Sequence, residues 1–214
     1  MRNAFILAAV VGLASPTFAQ NTGAGSSAQH ELRSIGYARL GYGGASADQF
    51  RAAPAIGFGY RAELNSFALD VSFFNYVIRA DSYETGRDVF AGSLLRLQAL
   101  HFFDAEADRS AYVGAGLSWG GVSASRESSG GTYSNSWSGS GLQGELTAGY
   151  ELTRSTPMRF FIQTDVGLPF FKAKSESFNF TRMSDGLYRP STVEERYIPS
   201  AVVSVGVGWH RPRR

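Results

Sequence analysis

Along most of this chain every second residue belongs to a set that contains no charge. The set runs Gly36, Ala38, Leu40, Tyr42; Ile56, Phe58, Tyr60; Phe67, Leu69, Val71, Phe73; and Ala91, Ser93, Leu95, Leu97, Ala99. It continues Ala111, Val113, Ala115, Leu117, Trp119; Leu142, Gly144, Leu146, Ala148, Tyr150; Phe160, Ile162, Thr164, Val166, Leu168; and Ala201, Val203, Val205, Val207, Trp209. The interleaved set is polar: Tyr37, Arg39, Asp70, Ser72, Arg96, Gln98, Tyr112, Ser118, Gln143, Glu145, Thr147, Gln163, Asp165 and Ser204, with many glycines. A period of two is the period of a β-strand, whose side chains point alternately to opposite faces. Such a chain must therefore fold as a sheet with one apolar face and one polar face, and helical amphipathic stretches are missing from it.

Eight segments carry the alternation: Leu32–Gly43, Ala53–Arg61, Ser66–Asn75, Val89–Phe103, Ser110–Gly120, Gly141–Leu152, Met158–Phe171 and Tyr197–Trp209. Their connections alternate strictly in length. Ala62–Asn65, Asp104–Arg109 and Thr153–Pro157 are short, whereas Gly44–Ala52, Tyr76–Asp88, Gly121–Ser140 and Lys172–Arg196 are long. A meander of antiparallel hairpins puts all short turns at one end and all long loops at the other, as in eight-stranded up-and-down transmembrane barrels. A Greek-key sandwich has no reason to alternate in this way.

The two faces must meet two different surroundings. A soluble calyx with an apolar interior, like a lipocalin, turns the apolar set inward; a membrane barrel turns it to lipid. Several features favour lipid. Tyr42, Tyr60, Phe73, Trp119, Tyr150 and Trp209 sit at strand ends, where the headgroup boundary suits a ring with one apolar and one wet edge. The polar set is nearly charge-balanced, and Lys172 and Lys174 are the only lysines, whereas soluble surfaces are rich in lysine and glutamate. Strands of about ten residues match a tilted membrane crossing. The slightly negative mean hydropathy excludes membrane helices, but not a barrel, because it averages two opposite faces.

The amino terminus reads as an address. Met1-Arg2-Asn3 precedes an apolar run from Ala4 to Leu13, too short to span a bilayer. Thr17 and Ala19 then stand at the −3 and −1 positions of a cleavage site before Gln20; this is the layout of a secretory signal peptide. The expected division is a signal peptide over 1–19, a flexible lead-in over 20–29, a barrel over 30–209 and a tail over 210–214. Removal of Arg2 leaves 19 positive against 18 negative charges, which offers no basic field for nucleic acid. The chain has no cysteine, so disulfides and thiolate metal sites are excluded.

At this point the chain resembles the small eight-stranded outer-membrane β-barrels of Gram-negative bacteria, the OmpA-type and opacity-type proteins, over about residues 30–209. Tyr37-Ala38-Arg39-Leu40-Gly41-Tyr42, Ala111-Tyr112-Val113-Gly114-Ala115-Gly116-Leu117 and Ala148-Gly149-Tyr150-Glu151-Leu152 carry the resemblance. The last strand resembles the signal read by the barrel-assembly machinery, with Ser204, Gly206 and Trp209 at its key positions. It departs from that signal in continuing through His210-Arg211-Pro212-Arg213-Arg214 rather than ending on an aromatic residue. The resemblance implies an outer-membrane location, and by charge alone the basic residues of Lys172–Arg196 are expected to pair with lipopolysaccharide phosphates.

Residues with the types needed for chemistry are few. Gly139-Ser140-Gly141-Leu142-Gln143-Gly144 matches G-x-G-x-x-G, but a strand rather than a helix is expected after it, so no helix N-terminus would meet a pyrophosphate. Asn179-Phe180-Thr181 matches a glycosylation sequon that a bacterial chain rarely uses. A serine hydrolase acting on lipid A needs a histidine near a serine. Yet His30, His101 and His210 are all expected at the short-turn end, away from the outer leaflet. No histidines have metal-ligand spacing, and Asp48, Asp81 and Asp88 are isolated loop carboxylates. No catalytic, cofactor or metal site is expected.

The polar face is the more informative cluster. An eight-stranded barrel leaves an interior just wide enough to be filled by side chains. Arg39, Arg96, Asp70, Glu145 and Asp165 are expected there, paired and bridged through Gln98, Gln143 and Gln163, because unpaired charge in such a space is costly. The cluster reads as a polar plug, with a narrow gated conduit as the alternative. The long loops carry Tyr133, Trp137, Phe178, Phe180 and Tyr188 among small polar residues, a composition able to bind a surface ligand.

Overall fold

The computed structural model describes residues 33–45, 53–80, 87–127, 133–179 and 190–210, and these form ten strands. They are β1 (Arg33–Ala45), β2 (Ala53–Leu64), β3 (Phe67–Ala80), β4 (Arg87–Phe102), β5 (Ser110–Glu127), β6 (Tyr133–Leu152), β7 (Met158–Pro169), β8 (Ala173–Asn179), β9 (Pro190–Arg196) and β10 (Ser200–His210). All pairings are antiparallel, and β1 to β7 follow in order before β10 closes back on β1. The ring has eight staves. β8 and β9 form a hairpin that continues β7 and β10 beyond the ring, with β8 pairing to the far end of β6. The expected eight-stranded antiparallel up-and-down barrel is therefore the fold observed.

Closure pairs each of the eight staves with a neighbour on both sides, which is what a sheet needs in a medium without water. The expected faces also hold. Leu40, Phe58, Leu69, Leu97, Leu117, Leu146, Ile162 and Val205 are exposed on the outside, while each residue named in the polar set is buried within. A soluble protein with this arrangement would be inside out. The outside is a lipid-facing belt, edged toward the turns by Tyr60, Phe67, Phe103, Tyr150 and Trp209 and toward the loops by Tyr42, Trp119, Phe170 and Tyr197.

Two sequence expectations change. The first concerns the long connections, much of which is strand. β3 and β4 pair as far as Ala80 and Arg87, and β5 and β6 as far as Glu127 and Ser134. The Ser/Gly-rich tract expected to be a loop thus runs as a paired strand over Tyr133–Ser140, held by β5 on one side and β8 on the other. Backbone pairing asks little of the side chains there. The second concerns β4, expected to alternate without a break along its length. A β-bulge puts an extra residue, Leu94, into β4, so Ser93 lies opposite Gly120 and Ala91 opposite buried Val122. Beyond the bulge the register of β4 is shifted by one residue against both neighbours.

The turns explain their own shapes. Asn65 takes the left-handed conformation, φ 56°, in the two-residue turn between β2 and β3, a role that suits asparagine. Thr153 takes it too, φ 57°, at the start of the β6–β7 turn, where a β-branched residue is strained. Its hydroxyl is held between the carbonyls of Leu152 at 2.7 Å and Met158 at 3.0 Å.

Candidate functional site in the barrel lumen

The lumen is layered along the barrel axis. At the turn end, the inward positions of β2, β6 and β7 place Glu63, Glu151 and Arg159 together, and Arg154 reaches in from the β6–β7 turn. Arg159 Nη1 lies 2.9 Å from Glu63 Oε2 and 3.2 Å from Glu151 Oε1. Arg154 lies 2.9 Å from Glu151 and 3.4 Å from Glu63. Burial lowers the Arg154 pKa from its ordinary value, opposed by the two carboxylates; a guanidinium stays charged all the same.

Next comes an aromatic layer. Tyr37 of β1, Phe102 of β4, Tyr112 of β5 and Phe161 of β7 surround the Arg61 guanidinium, with ring centroids at 5.5, 5.7, 5.2 and 5.6 Å from its Cζ. Arg61 also reaches Asp70 at 3.2 Å and Glu151 at 3.5 Å. The rings fit because glycines stand opposite them. Tyr37 faces Gly59, Tyr112 faces Gly149 and Phe161 faces Gly206. A Cβ on any of these glycines would run into the ring.

The central layer is organised by Asp165. Its Oδ1 accepts hydrogen bonds from Thr147 Oγ1 (2.6 Å) and Gln163 Nε2 (2.7 Å) and pairs with Arg96 Nη1 at 2.8 Å. Its Oδ2 pairs with Arg39 Nη1 at 2.6 Å. The chain of bonds extends outward: Tyr112 OH donates to Gln163 Oε1, Gln98 Nε2 to Thr147, Arg96 Nε to Ser72, and Tyr37 OH to Asp70. Ser118 Oγ donates to Glu145 at 2.6 Å. On the loop side, Ala55, Phe74 and Val202 form a buried apolar cluster, with the Arg39 guanidinium 3.9 Å from the Phe74 ring centroid.

The five charges expected in the lumen are all there, and Gln98 and Gln163 do bridge within the network. Sequence reading missed five more: Arg61, Glu63, Glu151, Arg154 and Arg159. Four of them continue the inward parity of their strands past the chosen segment ends or within them, so the alternation itself held the signal. Arg154 lies in a turn and carried no periodic signal. Together the buried side chains number five arginines and five carboxylates, so the described lumen is neutral.

His101 and His210 lie at the turn end, as the topology implied, with His101 between Phe67 and Phe103 on the outer wall. His30, Asp48 and Asp81 lie outside the described residues, as do residues 1–32 and the loop aromatics Phe180 and Tyr188. The glycine-rich match at 139–144 is part of β6, with a strand continuing from it. Tyr133, Trp137 and Phe178 belong to β6 and β8 rather than to loops.

No protein-family model matches the chain, and no curated protein does. Solved structures do. Neisserial surface protein A is similar at 15% identity and TM-score 0.53, covering 82% of this chain and 96% of that one. Ail, the attachment invasion locus protein of Yersinia pestis, is similar at 14% identity and TM-score 0.52, covering 85% and 99%. A major outer membrane protein from Thermus thermophilus is similar at 10% identity and TM-score 0.58, covering 85% and 100%. The fold is that of the small outer-membrane β-barrels. The lipid-facing belt and charged interior are those of an outer-membrane-type barrel, with the short turns gathered at one end and the long connections at the other.

Proposed function

We propose that the chain, cut after Ala19, is a structural and surface-contact protein of the cell envelope, with a sealed lumen and no catalytic activity. The sealed lumen carries this reading. Its charges cancel, its carboxylates are engaged by arginines, hydroxyls and amides, and an apolar cluster and an aromatic layer lie on either side of the central network. Free porins use about twice as many strands to hold open water. What remains for contact is the outer rim. Lys172 and Lys174 are exposed there beside Phe170 and Tyr197, a pairing of cations with interfacial rings that suits lipopolysaccharide phosphates. The last strand, with Ser204, Gly206 and Trp209, serves recognition by the barrel-assembly machinery.

Planar-bilayer recording tests the seal: purified protein is expected to give no stable open level, and a large, steady conductance would establish the conduit instead. Turnover of purified lipopolysaccharide by the folded protein would overturn the non-enzymatic reading. Replacing both lysines by alanine is expected to weaken lipopolysaccharide retention during detergent purification; unchanged retention would remove that contact.

A further inference from the structure

The aromatic layer has the chemistry of a receptor. Four rings stand around one cation, each centroid within the range of about 6 Å over which a ring face attracts a guanidinium. Tyr37 and Phe161 meet edge to face at 5.4 Å, and Phe102 and Tyr112 meet tilted at 5.0 Å. The cage is thus two ring pairs rather than four separate contacts. Asp70 and Glu151 supply the opposite charge from β3 and β6. Tyr37 OH donates to Asp70, and Tyr112 OH is tied to Gln163, so the rings are oriented from behind. Glycines on β2, β6 and β10 leave the room in which three of the rings lie. Rings, carboxylates and glycines come from all eight staves, and a collar of rings with two carboxylates selects a flat or small organic cation over a hydrated metal ion.

We propose that this ring collar is a binding site for a guanidinium-class organic cation, which the chain fills with its own Arg61 and so seals the lumen. Arg61 acts as a tethered ligand. It enters from β2, pairs with its neighbour Asp70 on β3 and reaches Glu151 on β6 across the barrel, so occupancy of the cage and closure of the cylinder are the same event. An arginine elsewhere in the lumen does not have this role: Arg39 has one ring, Phe74, and Arg154 one, Phe102.

The inference is independent of whether the barrel conducts, because its test reads folding. Full-length mature protein carrying Arg61→Ala is refolded from urea into detergent micelles, and the folded fraction is read from heat-modifiable gel migration. Arg61→Ala alone is expected to fold poorly. Millimolar ethylguanidinium should raise its folded-to-unfolded ratio saturably, by roughly fivefold or more, while equal concentrations of sodium ion or of urea, the neutral isostere, should not. Wild type should not respond. Folding of Arg61→Ala as complete as wild type, or rescue equal with urea or sodium, overturns the proposal. If Arg61→Ala folds under no condition, Arg61→Lys against Arg61→Met decides: a higher folded fraction with lysine supports a cation cage, and a methionine variant that folds as well or better overturns it.

Discussion

Gly206 shows how much a single missing atom does here. The Phe161 ring lies against it across the β7–β10 pair, and the same relation joins Tyr112 to Gly149. The Gly206→Ala variant puts a methyl group into that ring, so Phe161 must move out of the collar. Overpacking of this kind costs about 1–3 kcal/mol, and urea unfolding in lipid vesicles is expected to show a loss of that size, with a smaller loss when Phe161→Leu is added. Glu151 is the other decisive residue. Arg61, Arg154 and Arg159 all pair with it, so Glu151→Gln leaves Arg154 and Arg159 to share Glu63 and Arg61 with Asp70 alone. Breaking a buried charge network by removing one partner costs about 3–5 kcal/mol, and the same unfolding measurement checks it. Thr153 carries the opposite sign. Its left-handed backbone costs a β-branched residue on the order of 1 kcal/mol, so Thr153→Asn is expected to raise stability by about that amount.

At the scale of elements, the turns matter more than their length suggests. Asp108 in the β4–β5 turn clasps Ser155 in the β6–β7 turn. The Ser155 amide donates to Asp108 Oδ1 at 3.0 Å, its hydroxyl donates to the same oxygen, and the Arg154 amide donates to the Asp108 carbonyl at 2.9 Å. The Ser155 hydroxyl and amide hold the Asp108 carboxyl below its ordinary pKa. A carboxyl lowered in this way contributes stability that is present above the unfolded pKa of about 4 and is lost as pH falls through the lower folded value. Asp108→Asn should therefore differ from wild type in melting temperature near neutral pH, and the difference should vanish in acid; a pH-independent difference would show that charge has no part in the clasp. The clasp also places Arg154, since it fixes the turn from which that side chain enters the lumen. The Leu94 bulge in β4 is a second device at this scale. It realigns the strand above Arg96 while leaving Leu95, Leu97 and Ala99 on the outside.

For the whole molecule, solvent decides the architecture. A cylinder with an apolar outside and a neutral ionic inside is stable only where lipid replaces water around the belt. Leu97, exposed in the middle of the belt, tests this: Leu97→Arg is expected to cost about 2–4 kcal/mol in a bilayer, as charge at the midplane of a barrel does. A substitution without effect would mean that this face does not meet lipid. Boiled and unboiled samples are likewise expected to migrate differently on gels, because closure resists detergent until heat opens it.

The sequence by itself determined the two faces, the number of staves and the alternation of turns and loops, since a period of two and the spacing of breaks are local properties of the chain. It also named Arg39, Asp70, Arg96, Glu145 and Asp165 as interior charges, because parity along one strand is enough for that. Only the tertiary structure decided which of these meet. Asp165 collects Arg39 and Arg96 from strands distant in sequence, and Arg61 finds four rings on four other strands, contacts set by register and barrel closure rather than by period. The same closure brought in Arg154 from a turn, extended β5 and β6 through a tract of serine and glycine, and admitted a bulge that shifted the register of β4 at Ser93. Each depends on what stands on the neighbouring strand, and no strand carries its neighbour's register in its own sequence.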